Sequence, residues 1–437
     1  MSFDLGACLI PFRIAGLCVR GAKCVSFRIT DMNAHDIAEI SAWLTTQGIK
    51  GTDEMDIVNG FCQRARAAGM RLDRGLALID TLHPVYEGRA FQWDSQEPVN
   101  TAFEYGPTNE GVSAENWERS AFHYMRENNK SEVRRRLGFG DPLDFFTLDT
   151  LLAAGHKDYI AMIHRFAKDS HIGDMDCFYS HWTTMDEGGF RDEDLSVLRQ
   201  LVPVLALAIK SGSLTRISRT IAEVYLGEDA ARQVLEGRIS RGKAERISAV
   251  LWFSDLQNYT RISDNLPPDE IIPFLNDYAD AVISSIHEAG GNVLKLIGDG
   301  TLAIFKAEER EDACTRALFA EQLLREKLKG LNEQRRQEGR PVTEVYLGLH
   351  IGDVFYGNIG SSDRLDFTVI GPAVNEVSRI ASMCRFVDRS VIMSSQFVAA
   401  APPPRNAEVV SIGRYALRGV KRAQELFTLM PLEAADA

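Results

Sequence analysis

Two aspartates and an asparagine–arginine pair are the residues of this chain whose types and spacing could do chemistry. Asp255 closes the apolar run Val250-Leu251-Trp252-Phe253-Ser254-Asp255-Leu256. Asp299 sits in Gly298-Asp299-Gly300, between two β-rich runs. Asp-Gly in that setting signals a hairpin, so one carboxylate is expected at a strand end and the other at a neighbouring hairpin tip. Hard oxygen ligands displayed in this way suit Mg²⁺, which binds through one or two carboxylates together with substrate phosphates. Asn375 and Arg379 are spaced i, i+4 and share one helix face. A guanidinium there is suited to phosphate, whose oxygens match its planar fork. Taken singly, Asp255 also reads as an N-cap, Asp299 as a turn residue, and the Asn–Arg pair as the polar side of an amphipathic helix.

The elements that must position these residues are legible in the C-terminal half. After the first strand, Ile272, Leu275, Ala279, Val282, Ile283 and Ile286 mark one apolar helical face, with Pro273 near the first turn. The Asp299 hairpin follows, then a helix over 312–328 and a charged loop through Arg340. Residues 342–351 and 354–359 look like paired strands across Gly352-Asp353. A strand over 365–370 precedes a helix over 372–383 that starts on Pro372. Short strands near 390–393, 415–417 and 425–429 complete an α+β sandwich. Its leading β-α-β-β-α-β order is the ferredoxin-like arrangement.

The N-terminal half has a different pattern. Helical spacing of Ile37, Ile40, Trp43 and Leu44, then Ile57, Phe61 and Ala65, predicts two helices separated near Gly48 and Gly51. Strands are expected over 72–82 and 88–93, while 148–154 and 159–166 fit either strand or helix. The Arg134-Arg135-Arg136 triplet reads as a solvated face. Residues 177–184 alternate like a half-buried strand, Asp186-Glu187-Gly188-Gly189-Phe190 is a turn, and 192–209 is a helix with acids in its first turn. Strand, Gly-Phe turn and closing helix resemble the end of a GAF-type sensor domain, which implies a small-molecule effector; a plain dimerisation domain is the alternative. A further helix, broken near Gly227, leads to the organising strand. The expected division is a poorly ordered segment 1–32, a GAF-like domain 33–212, a helical linker 213–246, a catalytic domain 247–431 and a tail 432–437.

Bulk properties bound the partners. The chain has 437 residues, a net charge of −12 and 45% hydrophobic residues. This is enough chain for two or three domains, and the acidic balance argues against a nucleic-acid-binding surface. Seven cysteines without a C-x-x-C spacing read as reduced thiols in a cytoplasmic protein. No uninterrupted apolar run reaches the roughly 18 residues of a transmembrane helix.

From about residue 247 to 430 the chain resembles the class III nucleotidyl (adenylate/guanylate) cyclases. The resemblance is carried by Phe253-Ser254-Asp255-Leu256-Gln257-Asn258-Tyr259-Thr260, Lys295-Leu296-Ile297-Gly298-Asp299-Gly300, Gly348-Leu349-His350-Ile351-Gly352, Phe367-Thr368-Val369-Ile370-Gly371, Val374-Asn375, Ser378-Arg379 and Leu417-Arg418-Gly419-Val420. It implies two Mg²⁺ or Mn²⁺ ions per active site on Asp255 and Asp299, with a third contact from the Leu256 carbonyl. The turn after Asp255 would bind the triphosphate through Asn258 and Thr260, with Asn258 standing where the family usually has glycine. Asn375 would orient the ribose, Arg379 would stabilise charge on the reacting phosphate, and Arg418 replaces a triphosphate-binding lysine.

Base choice is implied by Lys295 and Thr368. In the family, Lys with Asp or Thr at these positions accompanies adenine, and Glu with Cys accompanies guanine. A lysine can donate to a ring nitrogen of adenine, and a threonine hydroxyl can accept from the exocyclic amine. The expected activity is therefore conversion of ATP to 3′,5′-cyclic AMP and pyrophosphate. A guanylate or pyrimidine nucleotide cyclase is an alternative, as is a catalytically silent cyclase-fold module. In the family the metal carboxylates come from one subunit and the base, ribose and arginine contacts from the other. One chain carrying both sets implies a homodimer.

Overall fold

A computed structural model of the protein describes residues 32–96, 101–109, 111–167, 172–173, 175–404, 407–420 and 422–431. The segment expected to be poorly ordered lies outside the described residues except for Met32, and the tail 432–437 lies outside them entirely. Two compact units divide between Ile221 and Ala222.

The first unit opens with α1 (Ala34–Lys50) and α2 (Glu54–Ala67). Asn33 caps α1 in a capping box with Asp36, and Gly51 ends it in the left-handed region. There follow β1 (Arg74–Asp80), β2 (Gly88–Asp94), β3 (Thr101–Tyr105), α3 (Gly111–Glu118), α4 (Ala121–Glu127), β4 (Glu132–Arg135), α5 (Leu148–Ala153), β5 (Asp158–Arg165), β6 (Cys177–Thr184) and α6 (Asp192–Leu226). The strands form one antiparallel sheet in the order β3-β2-β1-β6-β5-β4.

Both faces of this sheet are covered. Ile79, Phe178 and Trp182 join Leu44, Phe61 and Leu198 in one core, whereas Tyr159, Cys177 and Tyr179 join Phe122 and Met125 in a second. Consequently all eight residues of β6 are buried, not the alternate half that its sequence pattern suggested. The arginine triplet is also engaged. Arg134 pairs at 2.5 Å with the fully buried Asp158, and Arg135 and Arg136 pair with Asp144 and Asp141. Burying Asp158 without such a partner would be costly, so the first of these arginines serves the interior.

Helix α6 is continuous through the position expected to separate sensor from linker. By length and composition it is the one helix among the described residues that could cross a membrane, and half of its apolar window is buried inside the protein. Leu198, Leu201 and Leu205 place that buried side in the first core. The four cysteines among the described residues are free and buried.

In the second unit α7 (Glu228–Leu235) begins after Gly227, whose φ of 79° breaks the helix where the sequence placed a turn. Asp229 anchors α7, accepting from Tyr356 Oη at 2.9 Å and pairing with Lys306 Nζ at 2.8 Å. Then come β7 (Ala244–Leu256), α8 (Tyr259–Ser263), α9 (Pro268–Glu288), β8 (Asn292–Ile297), β9 (Gly300–Lys306), α10 (Arg310–Gln337) and β10 (Val345–Gly360). The unit ends with β11 (Leu365–Ile370), α11 (Pro372–Val387), β12 (Val391–Ser394), α12 (Ser395–Ala400), β13 (Ala407–Tyr415) and β14 (Gln424–Pro431).

The sheet order is β13-β14-β12-β10-β7-β9-β8, with β11 added to β10. Its β10-β7-β9-β8 part, all antiparallel, has the ferredoxin-like connectivity expected. Four boundaries differ from the sequence expectation. Pro268, not Pro273, occupies the helix start of α9, and Pro273 lies within it. Helix α10 runs on to Gln337 because Asn332 and Arg335 are buried, accepting from Tyr278 and donating to Pro341 O respectively. The strand near residue 415 is the end of a longer strand beginning at Ala407.

The fourth difference explains a motif. Residues 345–360 are one strand, paired with β7 from Val345↔Leu256 to Gly357↔Ala244, and Gly352-Asp353 is not a turn. Glycine is needed there for close approach: a Cβ on Gly352 would stand 2.8 Å from Ala373 Cβ. At Gly348 a Cβ would stand 2.7 Å from Ala381 N and 2.8 Å from Val377 O. Both contacts seat α11 on β10. Gly348→Ala is therefore expected to lower stability by roughly 1–3 kcal/mol through overpacking, measured by denaturant unfolding; an unchanged midpoint would show that α11 is not held this closely.

Candidate active site

Strand pairing brings Asp255 and Asp299 together. β7 and β9 run antiparallel from Ala249↔Lys306 to Ser254↔Thr301, so Asp255 leaves the ladder beside the hairpin that carries Asp299. β8 and β9 close on Ile297↔Gly300, leaving Gly298-Asp299 as a two-residue turn. Gly298 takes φ 64°, the conformation a type II′ turn requires at its first central position. Asp299 Oδ2 accepts from Leu256 N at 3.3 Å. Gly300 completes the approach, since a Cβ there would lie 3.0 Å from Ser254 O and 3.4 Å from Asp255 Oδ1.

The electrostatics follow from that geometry. Burial, then the hydrogen bond and charge of Asp299, push the Asp255 carboxyl up to about 7, opposed by Arg385 and the Leu256 N–H. Two carboxylates sharing one partly desolvated space disfavour each other's ionisation unless a cation joins them. Their oxygens are hard donors and fit Mg²⁺ or Mn²⁺. Among the described residues no group of three or more His, Cys, Asp and Glu side chains is placed to hold a metal ion by itself. An ion on this pair would take its remaining ligands from backbone oxygens such as that of Leu256, from water and from a bound phosphate.

The turn after the pair is held by Asn258 at φ 55° and ψ 27°, left-handed backbone that asparagine tolerates better than most residues. Asn258 precedes α8, a helix of five residues that ends before Pro267 and the start of α9. Thr260 is exposed on α8.

Lys295, Thr368, Asn375, Arg379 and Arg418 occupy other parts of the same unit. Lys295 follows a bulge in the β8–β9 ladder, between Val293 and Lys295. Its Nζ forms an ion pair with Asp366. Asp366 lies two residues before Thr368 on β11 and hence on the same face. Sequence reasoning paired Lys295 with Thr368 and missed Asp366, although the period of two along β11 would have exposed it. Asn375 and Arg379 are exposed on α11, and Arg418 is exposed after Leu417. The side chains of Thr368, Asn375, Arg379 and Arg418 have no hydrogen-bond or ion-pair partner among the described residues.

A second missed residue is Arg385, the cationic neighbour of Asp255. It follows Arg379 by six positions, about 9 Å along the helix axis. No spacing rule marks it, because its approach depends on α11 packing against β10 and β7. Asn258→Ala is expected to cost roughly 1–2 kcal/mol through left-handed strain, whereas Asn258→Gly should stay within about 1 kcal/mol of the parent. Urea titrations of the two variants check this, and equal stability of the two would remove Asn258's role in shaping the turn.

Comparison with known proteins gives the family of this unit. Residues 243–431 match the adenylate and guanylate cyclase catalytic domain. An adenylate cyclase of Anabaena cylindrica is 35% identical over 164 residues, covering 37% of this chain and 32% of that protein. Adenylate cyclase 1 of Rhizobium meliloti is 28% identical over 204 residues, 45% of this chain and 30% of that protein. The chain thus spans about a third of the length of these relatives. The adenylyl cyclase CyaB from P. aeruginosa, a solved structure, covers 45% of this chain and 100% of its own at 22% identity and a TM-score of 0.40.

Proposed function

With residues 243–431 identified as an adenylate and guanylate cyclase catalytic domain, we propose that this protein is a homodimeric adenylate cyclase regulated by its N-terminal, GAF-like unit. The observation that carries the reading is the Asp255–Asp299 pair at a strand end and hairpin tip, in a unit that also presents Asn375 and Arg379 on one helix, unpartnered among the described residues. In the reaction the 3′-oxygen of ATP bonds to the α-phosphorus as the bond to pyrophosphate breaks. Asp255, Asp299 and the Leu256 carbonyl would hold two Mg²⁺ or Mn²⁺ ions, which when bound supply charge stabilisation to the attacking and leaving oxygens.

The remaining roles belong to this chain's own side chains. Arg379 meets the charge that develops on the reacting phosphate, and Asn375 orients the ribose. Arg418 and the turn at Asn258 and Thr260 hold the triphosphate. Lys295 and Thr368 meet the adenine edge, with Asp366 holding the lysine in place. The names of the two cyanobacterial and rhizobial relatives favour ATP over GTP.

Exposed apolar side chains support the dimer. Leu296 (54% exposed), Ile297 and Ile370 flank the site residues of β8 and β11, while Phe386 (79%) ends α11. A two-fold interface over these elements would cover them and join Asp255 and Asp299 of one subunit to Lys295, Asn375 and Arg379 of its partner. Asp299→Ala and Arg379→Ala chains should each be inactive as homodimers. Mixed in equal amounts, they should recover about a quarter of the parent cyclic AMP production, since half the dimers would hold one intact site of two. A mixture as inactive as its parts would remove the shared-site reading.

Base selection can be tested separately. Lys295→Glu alone would set a carboxylate beside Asp366, so the swap needs Asp366→Asn as well. Lys295→Glu, Thr368→Cys and Asp366→Asn together should shift the GTP-to-ATP turnover ratio at least about tenfold toward GTP, roughly one rewired polar contact. An unchanged ratio would place base recognition elsewhere.

A further inference from the structure

The N-terminal unit contains a cavity of about 940 Å³ between one face of its sheet and the short helices α3 and α4. That volume lies in the range of small-molecule sites. Its floor is built from alternate residues of neighbouring strands, among them Leu78 and Asp80 of β1, Tyr105 of β3, and Tyr179 and His181 of β6. Trp117 and Phe122 close it from the helices, each in ring contact with Tyr179 at 5.7 and 5.3 Å.

One carboxylate is built into this floor. Asp80, Gly88 and Tyr105 stand in register across three strands, Asp80↔Gly88 and Gly88↔Tyr105. The bare backbone of Gly88 lets the Tyr105 ring cross it: a Cβ there would lie 2.1 Å from Tyr105 Oη. That hydroxyl donates to Asp80 Oδ1 at 2.6 Å. Asp80 is only 7% exposed, and it has no cationic partner among the described residues. Burial pushes its carboxyl up to about 7; the Tyr105 hydroxyl and the more distant Arg126 charge oppose this, and the nearby Glu87 and Asp176 charges add to it.

The cations that line the cavity are already committed. Arg126 pairs with Asp176 and donates to Tyr179 Oη at 2.7 Å, and Arg165 donates to the carbonyls of Met125 and Lys130. His181, 7% exposed, is pushed down to about 3 by burial and is neutral; it has no hydrogen-bond partner among the described residues. An anionic ligand would thus meet Asp80 and Glu87 without a free counter-charge. A cation would offset the cost of burying Asp80, and the aromatic faces around it favour a positively charged group or a flat ring.

We propose that this cavity binds a small aromatic organic cation, its ring against Trp117, Phe122 and Tyr179 and its ammonium group against the Asp80 carboxylate. The site gives the regulatory unit of the proposed cyclase a ligand class, and it rests on that regulatory reading only for its consequence. Binding itself is independent of turnover.

Calorimetry on the full chain with three probes of one skeleton tests it: tryptamine, the uncharged 3-ethylindole and the anionic indole-3-propionate. Tryptamine should bind at least about tenfold more tightly than either of the others, a typical worth for a paired, desolvated charge. Asp80→Asn should remove that advantage while leaving 3-ethylindole affinity unchanged. Equal or tighter binding of indole-3-propionate, no detectable binding of any probe at millimolar concentration, or a tryptamine advantage that survives Asp80→Asn would each overturn the proposal. Should Asp80→Asn fail to fold, the ranking of the three probes on the parent protein decides. A tryptamine site with no effect on cyclic nucleotide production would leave the binding site standing and remove the regulatory role.

Discussion

Repulsion between two carboxylates, held close by strand pairing, is the constraint on which the catalytic unit depends. The antiparallel register of β7 and β9 delivers Asp255 to the same edge at which a two-residue turn presents Asp299. The two ladders fix the backbone positions from which both side chains project. The arrangement costs stability while the two charges face each other, and the Leu256 N–H and Arg385 offset only part of it. Positive charge brought from outside the chain would relieve such a pair.

The second requirement is a helix seated close enough to aim its polar face. Gly348 and Gly352 remove side chains from β10 where α11 crosses it, so the backbone of the helix rests almost directly on the strand. Rigid seating matters because the exposed side chains of Asn375 and Arg379 have no hydrogen-bond or ion-pair partner among the described residues. No such bond restrains their rotamers there, so in the proposed reaction the precision with which they would meet a nucleotide has to come from the helix itself.

In the N-terminal unit the same kind of sheet is used asymmetrically. One face carries a dense core under α1, α2 and α6, built from Leu44, Phe61, Phe178, Trp182 and Leu198. The other face is covered by the shorter α3 and α4, and between them and the sheet lies the aromatic cavity. Helix α6 begins in the dense core and ends at Leu226, one residue before Gly227 and the α7 helix that Asp229 ties to Tyr356 and Lys306.

Local pattern in the amino-acid sequence determined a great deal here. The apolar run ending on Asp255, the hairpin tip at Gly298-Asp299-Gly300, the i, i+4 spacing of Asn375 and Arg379 and the break at Gly227 are all nearest-neighbour properties, set by backbone preference and side-chain periodicity. Interactions between distant segments were decided only by tertiary structure. The glycine at 352 has the look of a turn in sequence, yet it is extended because a helix twenty residues farther on needs its space. The Lys295–Asp366 ion pair and the reach of Tyr105 across Gly88 to Asp80 are contacts that exist only once strands have chosen their neighbours, and the charge of Arg385 acts on Asp255 for the same reason. Sequence period tells which face a residue takes, while the partner opposite it depends on a register that only the folded sheet supplies.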